Sequence, residues 1–165
     1  MFKINDHIMY GMTGVCKVLD IKEEKFMNSD IKKYYVLEPV YSKNTIIKIP
    51  VDNNKVVMRK IHSKEEVDGL INNMSNEEVL WIDDERERSN KFKLMLKTGE
   101  CEDLITIIKS IYLNRRNMKS IGKKTNKNDD EIMKSAEKLL NEEFAIILGI
   151  DQGNVKSYIL DHIVQ

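Results

Sequence analysis

The sequence predicts an α+β protein, a small N-terminal antiparallel β-barrel followed by a C-terminal bundle of about five helices. Three observations carry this. Apolar residues recur with a period near two as far as Ile61 and with a period near 3.6 beyond it. The early apolar runs are short, closely spaced and separated by turn-forming residues. The later half contains two S-x-x-E strings, the signature of a helix start at which hydroxyl and carboxylate satisfy free backbone amides. Two domains follow, residues 1–62 and 63–165, with the boundary at the change of period.

The strands come first. Ile8-Met9-Tyr10 leads through the two glycines of Gly11-Met12-Thr13-Gly14 into Val15–Ile21. Asn28-Ser29-Asp30 marks a hairpin turn before the aromatic and β-branched run Lys33–Glu38. Ser42-Lys43-Asn44 marks another, and Thr45–Val51 and Lys55–Arg59 complete the set. Short strands at this spacing suit a small barrel. In the helical half, Ser63–Glu66 caps a short helix over 64–73, and Ser75–Glu78 predicts a second over 76–97 that stops at Gly99. A third covers 101–116, with Leu104, Ile107, Ile108 and Ile111 on one face. A fourth, over 129–148 behind a cap at Asn128, places Met133, Ala136, Leu140, Phe144 and Ile147 on one stripe. A fifth spans 154–163, and residues 120–127 form a polar, basic loop.

Composition narrows the function. Net charge is zero, with 41% hydrophobic and 33% charged residues, so bulk charge points to neither nucleic acid nor membrane. Distribution says more. Residues 91–127 hold ten Lys/Arg against three Asp/Glu, whereas 76–90 hold two against six and 128–165 three against eight. Any footprint for phosphate belongs in the central stretch. Cys16 and Cys101 stand far apart without C-x-x-C spacing, which argues against a structural metal or a disulfide framework and suits a reducing cytoplasm. No apolar run reaches membrane-spanning length, and the N-terminus has no signal-peptide pattern. His7, His62 and His162 have no Cys or carboxylate at ligand spacing, no phosphate loop or nucleophile elbow occurs, and Glu142-Glu143 reads as a solvated helix face. The expectation is a non-enzyme without metal or cofactor.

Several strings together resemble the CarD/CdnL family of bacterial transcription regulators. Phe2-Lys3-Ile4-Asn5-Asp6-His7-Ile8-Met9-Tyr10 with Gly14 is similar to its F-x-x-G-D-x-V-x-Y-x-x-x-G opening. Tyr34-Tyr35-Val36-Leu37 resembles its Y-Y-x-L strand, and Ile47–Pro50 with Arg59 resembles its I-x-x-P…R segment. Leu96-Lys97-Thr98-Gly99 and the helix Ala136–Ala145 continue the likeness. The resemblance implies a Tudor-like domain, shared with transcription-repair coupling factors, that binds the RNA polymerase β subunit. It also implies a helical domain that touches promoter DNA and stabilises the open complex, with a tryptophan wedged into the minor groove. Four positions depart from the pattern. Asn5 replaces a glycine, the wedge position falls on Glu85 while Trp81 is the one tryptophan, and Asp129 and Asp130 stand where the family is basic.

Candidate contacts follow from that resemblance and from the charge pattern. For polymerase they are Lys48, with Lys22 or Lys25 compensating for an acidic Glu24. Lys48 reads equally as a solvated strand residue. For DNA they are Trp81, Arg86, Arg88, Arg115, Arg116, Lys119, Lys123, Lys124 and Lys127. Trp81 has a second reading as a core residue, Arg88 as the i,i+4 partner of Asp84, and the basic cluster as a solubilising loop. The first rival to the regulator is a polymerase-binding adaptor whose helical domain meets another protein, and the second is a small enzyme on an unrelated barrel-plus-bundle fold, which the missing site motifs disfavour.

Overall fold

Five antiparallel strands carry the period-two half. In the computed structural model, which describes residues 1–163, they are β1 (His7–Tyr10), β2 (Gly14–Lys25), β3 (Ile31–Pro39), β4 (Ile47–Pro50) and β5 (Met58–Lys60). Their order is β4-β3-β2-β1-β5, so the expected barrel is an open sheet with β4 and β5 as its edges. The connection between those edges explains why. Asn53 accepts from the amides of Lys55 and Val56 and donates to the Val56 carbonyl, and Val57 O accepts from Gly11 N. The amides of Lys55 and Val56 are thus used up within the loop, and β5 begins at Met58 rather than Lys55.

The long β2–β3 hairpin forms the middle of the sheet, with a bulge between Val18 and Asp20. Ile8, Cys16, Val18, Tyr35 and Leu37 make its core, closed over by Phe2, Ile47, Ile49 and Met58 among others. Asn5 takes φ 74, the left-handed conformation that the glycine-to-Asn departure requires.

The chain divides at Ile61, and residues from His62 onward form the helical unit. Its helices are α1 (Lys64–Asn73), α2 (Glu85–Thr98), α3 (Cys101–Ser120), α4 (Lys127–Leu148) and α5 (Val155–His162). Ser63 and Glu66 form the reciprocal capping box expected at α1, and α2 and α4 end at Gly99 and Gly149 in left-handed conformations. The amphipathic faces are largely as expected, with Leu104, Ile107 and Ile111 of α3 and Met133, Ala136, Leu140 and Phe144 of α4 buried, but Ile108 and Ile147 are only partly buried and Ile105 is buried in their stead on α3.

The second helix is the main correction. No helix starts at Ser75. A single 3₁₀ turn, Met74–Asn76, gives way to irregular chain, and α2 begins nine residues after the expected 76, at Glu85, with Asp84 as its cap. Distant side chains draw off the backbone groups of this segment. Lys109 Nζ of α3 donates to the carbonyls of Met74, Ser75 and Glu77 at 3.3, 2.9 and 2.7 Å. The neighbouring Ser110 hydroxyl accepts from Leu80 N, and Arg88 donates to the carbonyls of Ile82 and Asp83. Trp81 therefore lies in a segment without regular structure rather than on a helix. At the other ends, α3 runs on to Ser120, and α4 is capped by Asn126 rather than Asn128.

Candidate functional site

In the sheet unit, β4 is an edge strand bonded to β3 on one side only. Lys48 projects from it, half exposed, and its ammonium donates to Glu24 Oε1 of β2 at 2.6 Å. The acidic residue at the family's basic position thus neutralises the other candidate. Lys22 sits 4.0 Å from Asp20, while Lys25 closes the β2 end of the ladder opposite Ile31. Nearby, Phe26, Met27 and Ile31 at the hairpin tip and Ile46 before β4 are exposed apolar side chains. The edge therefore offers unpaired backbone groups with hydrophobic flanks and a locally balanced charge.

In the helical unit the basic candidates separate into two groups. Arg88 is 4% exposed and makes a bidentate pair with Asp129 of α4, Nε–Oδ1 3.1 Å and Nη2–Oδ2 2.8 Å. Its guanidinium also covers the Trp81 ring at 4.3 Å from the centroid. This corrects two expectations. Arg88 does not face phosphate, and it does not pair with Asp84, whose carboxylate is turned to the Glu87 amide to cap α2. Arg115 is likewise engaged, donating to Asp130 Oδ1 at 2.6 and 3.1 Å. The two acids that depart from the family's basic pattern are the partners of two arginines nominated for DNA.

Arg116, Lys119, Lys123, Lys124 and Lys127 are all exposed, and among the described residues no ion pair engages them. Local geometry gathers them. At the end of α3, Gly122 takes φ 70, its amide donates to Lys119 O, and Lys123 N donates to Met118 O, so the chain reverses within a few residues. Arg86 is exposed on the first turn of α2, beside Lys93 and the acids Asp84 and Glu85 of an open hollow. Trp81 is half-buried, intermediate between its two readings.

One cluster had no signal in the sequence. Glu143 of α4 is fully buried and Glu142 nearly so, which corrects their reading as a solvated face. Glu143 Oε1 accepts from the His62 backbone amide at 3.0 Å and lies 2.8 Å from His62 Nδ1. Its Oε2 accepts from Cys101 Sγ at 3.3 Å, and Sγ lies 3.7 Å from the same Nδ1. Chain separations of thirty-nine and forty-two residues hid the grouping. It is not a nucleophilic triad, because thiol and carboxylate meet the same ring nitrogen and Sγ is buried.

The Tudor-like open sheet of the first unit has a counterpart among known domain families. Residues 2–62 match the family model described as the CarD-like/TRCF RID domain. Over 165 aligned residues, 96% of this chain and 99% of the relative, the sequence is 24% identical to a Bacillus subtilis (strain 168) protein named "Putative transcription factor YdeB". No helix among the described residues is long and apolar enough to cross a membrane.

Proposed function

We propose that the protein is a cytoplasmic, non-enzymatic transcription regulator. It docks on the RNA polymerase β subunit through its sheet unit and stabilises the promoter open complex through contacts of its helical unit that are not sequence-specific. The observation that carries this is the match of the whole sheet unit to the CarD-like/TRCF RID family. The open β4 edge supports docking by strand addition, where backbone hydrogen bonds supply affinity and the exposed Ile46 and hairpin-tip side chains supply specificity. Lys48 then tunes rather than anchors, since Glu24 already engages it.

The DNA contact centres on Arg116, Lys119, Lys123, Lys124 and Lys127. Exposed basic side chains on and around the α3–α4 turn hold phosphates and set position without reading bases. Five such charges make a weak site alone. Tethering to polymerase raises the effective concentration of DNA and makes the weak site sufficient.

The test is open-complex lifetime on a promoter, with cognate polymerase and the full-length protein, as a function of salt. Replacing Lys123, Lys124 and Lys127 with Ala is expected to shorten the lifetime and flatten its salt dependence by roughly one unit of slope per lost phosphate contact. Polymerase binding should be unchanged. Lys48→Glu, which sets a second acid against Glu24, should act in the reverse sense, weakening polymerase binding first. If the triple variant matches wild type in lifetime and slope, the helical unit meets a protein instead, and the adaptor reading replaces this one.

A further inference from the structure

We propose that His62, Cys101 and Glu143 form a zinc(II) site inside the helical unit, with water as the fourth ligand. The donor set is of the right kind, since imidazole, thiolate and carboxylate are the three side-chain groups that bind zinc. Their ligand atoms all lie within 4.8 Å of one another. Zinc bonds of about 2.0–2.3 Å place donors of a tetrahedral site roughly 3.2–3.8 Å apart. Cys101 Sγ stands 3.7 Å from His62 Nδ1 and 3.3 Å from Glu143 Oε2, within that range.

The remaining carboxylate oxygen completes the argument. Glu143 Oε1 is held by the His62 backbone amide at 3.0 Å, which leaves Oε2 as the monodentate ligand and orients it from behind. Cys101 is the first residue of α3, where the positive end of the helix favours the thiolate. Charge balances as well, because a thiolate and a carboxylate cancel a divalent cation and leave the buried site neutral. Access comes from one side. The side chains of Cys101 and Glu143 are closed to solvent, whereas that of His62 is 19% exposed, so ion and water enter past the imidazole.

Uptake is a proton exchange. The Cys101 S–H that Glu143 now accepts is released to solvent as the sulfur binds zinc. The imidazole coordinates through Nδ1, so the proton that Nδ1 now shares with Glu143 Oε1 must move: in a neutral ring it is exchanged through solvent onto Nε2, and in the cation it is released while Nε2 keeps its own. The ion ties together the residue before the α1 cap, the start of α3 and the later turns of α4. Zinc therefore stabilises the helical unit without any part in docking or DNA contact, and this inference stands apart from the proposed function.

The test uses full-length protein stripped with a chelator and titrated with cobalt(II), then zinc(II). Expected are one cobalt ion per chain, a thiolate-to-cobalt charge-transfer band, visible bands as intense as those of a four-coordinate ion, displacement by zinc, and a zinc-dependent rise in melting temperature. Cys101→Ala should abolish the charge-transfer band and weaken zinc binding at least about 100-fold, the upper end of what loss of an outer-shell partner costs. Cys16→Ala, which alters the buried cysteine of the sheet unit, should retain the band. Absence of the band in folded wild-type protein overturns the proposal and leaves a hydrogen-bonded cluster. So does a band that survives Cys101→Ala or disappears with Cys16→Ala while the protein stays folded.

Discussion

The two units of this protein bury different kinds of group. In the sheet unit the buried side chains are apolar apart from the Tyr35 hydroxyl, which accepts from the Phe2 amide at 3.0 Å. In the helical unit Arg88, Ser89, Ser110, Asp129, Glu142 and Glu143 are all buried. An apolar interior is non-directional and tolerates volume-conserving exchange. A polar interior requires every donor and acceptor to meet a partner, so each member depends on the others. The sheet unit should therefore yield gradually to single substitutions in its core, and the helical unit abruptly to loss of one charge.

Asp129→Ala sets that difference to its sharpest test. It leaves the Arg88 guanidinium buried without its carboxylate, a change that costs about 3–5 kcal/mol when a buried ion pair is broken from one side. Trp81, the single tryptophan, reports the helical unit by fluorescence, and hydrogen exchange of β2 and β3 amides reports the sheet unit. The helical unit should lose stability while protection in the sheet persists. Replacing both partners with apolar residues, Arg88→Met with Asp129→Leu, should recover much of the loss. A single Asp129→Ala variant with unchanged fluorescence melting would mean the pair is dispensable, and the contrast between the units would fail with it.

Trp81→Ala comes second. The ring is half-buried and covered on one face by Arg88, so its removal forfeits a cation–π contact and part of a hydrophobic burial. We expect about 1–2 kcal/mol, below the roughly 3–5 kcal/mol of a fully buried aromatic. The measurement is denaturant unfolding followed by circular dichroism, together with open-complex lifetime on the same variant. A loss at the full-core value would make Trp81 a packing residue. A small loss with a much shortened lifetime would give the exposed part of the ring a direct part in opening DNA.

What could be read from the sequence follows the same division. Strand positions were legible because alternation and turn residues are local. Ser63–Glu66 was legible because a capping box is complete within four residues. Ser75–Glu78 has the same spelling and fails, because Lys109, Ser110 and Arg88 compete for the backbone of the following segment from outside it. The exposed lysines of 119–127 could be placed by charge alone, whereas Arg88 and Arg115 could not, their partners lying forty-one and fifteen residues away. His62, Cys101 and Glu143 were invisible for that reason too. Period and charge density are written along the chain, but partnership between buried polar groups exists only once the helices pack.

At the surface the contrast between the units narrows, and the smallest predicted effect lies there. Each unit uses a surface carboxylate to close a local turn. Asp6 accepts from the Lys3 amide at 2.8 Å in the sheet unit, and Glu66 accepts from the Ser63 amide at 2.7 Å in the helical unit. The Lys3 backbone hydrogen bond, aided by Lys60, holds Asp6 below its ordinary 3.8, and the Ser63 backbone hydrogen bond, aided by the charge of His62, holds Glu66 below its ordinary 4.5. A carboxyl whose pKa is lower in the folded than in the unfolded chain contributes stability that is present above the unfolded value and lost as pH falls through the folded one. The window for Glu66 thus opens below pH 4.5 and that for Asp6 below pH 3.8. Amide chemical shifts of Ser63 and Lys3, followed by NMR through acid, should each report a midpoint below those values. Glu66→Gln keeps an acceptor for the Ser63 amide and should remove its titration without fraying α1. A Ser63 midpoint at or above 4.5 would mean that the capping box forms no better with the carboxylate than with the acid, and the helical unit would then lack at its surface the charge-dependence it has in its interior.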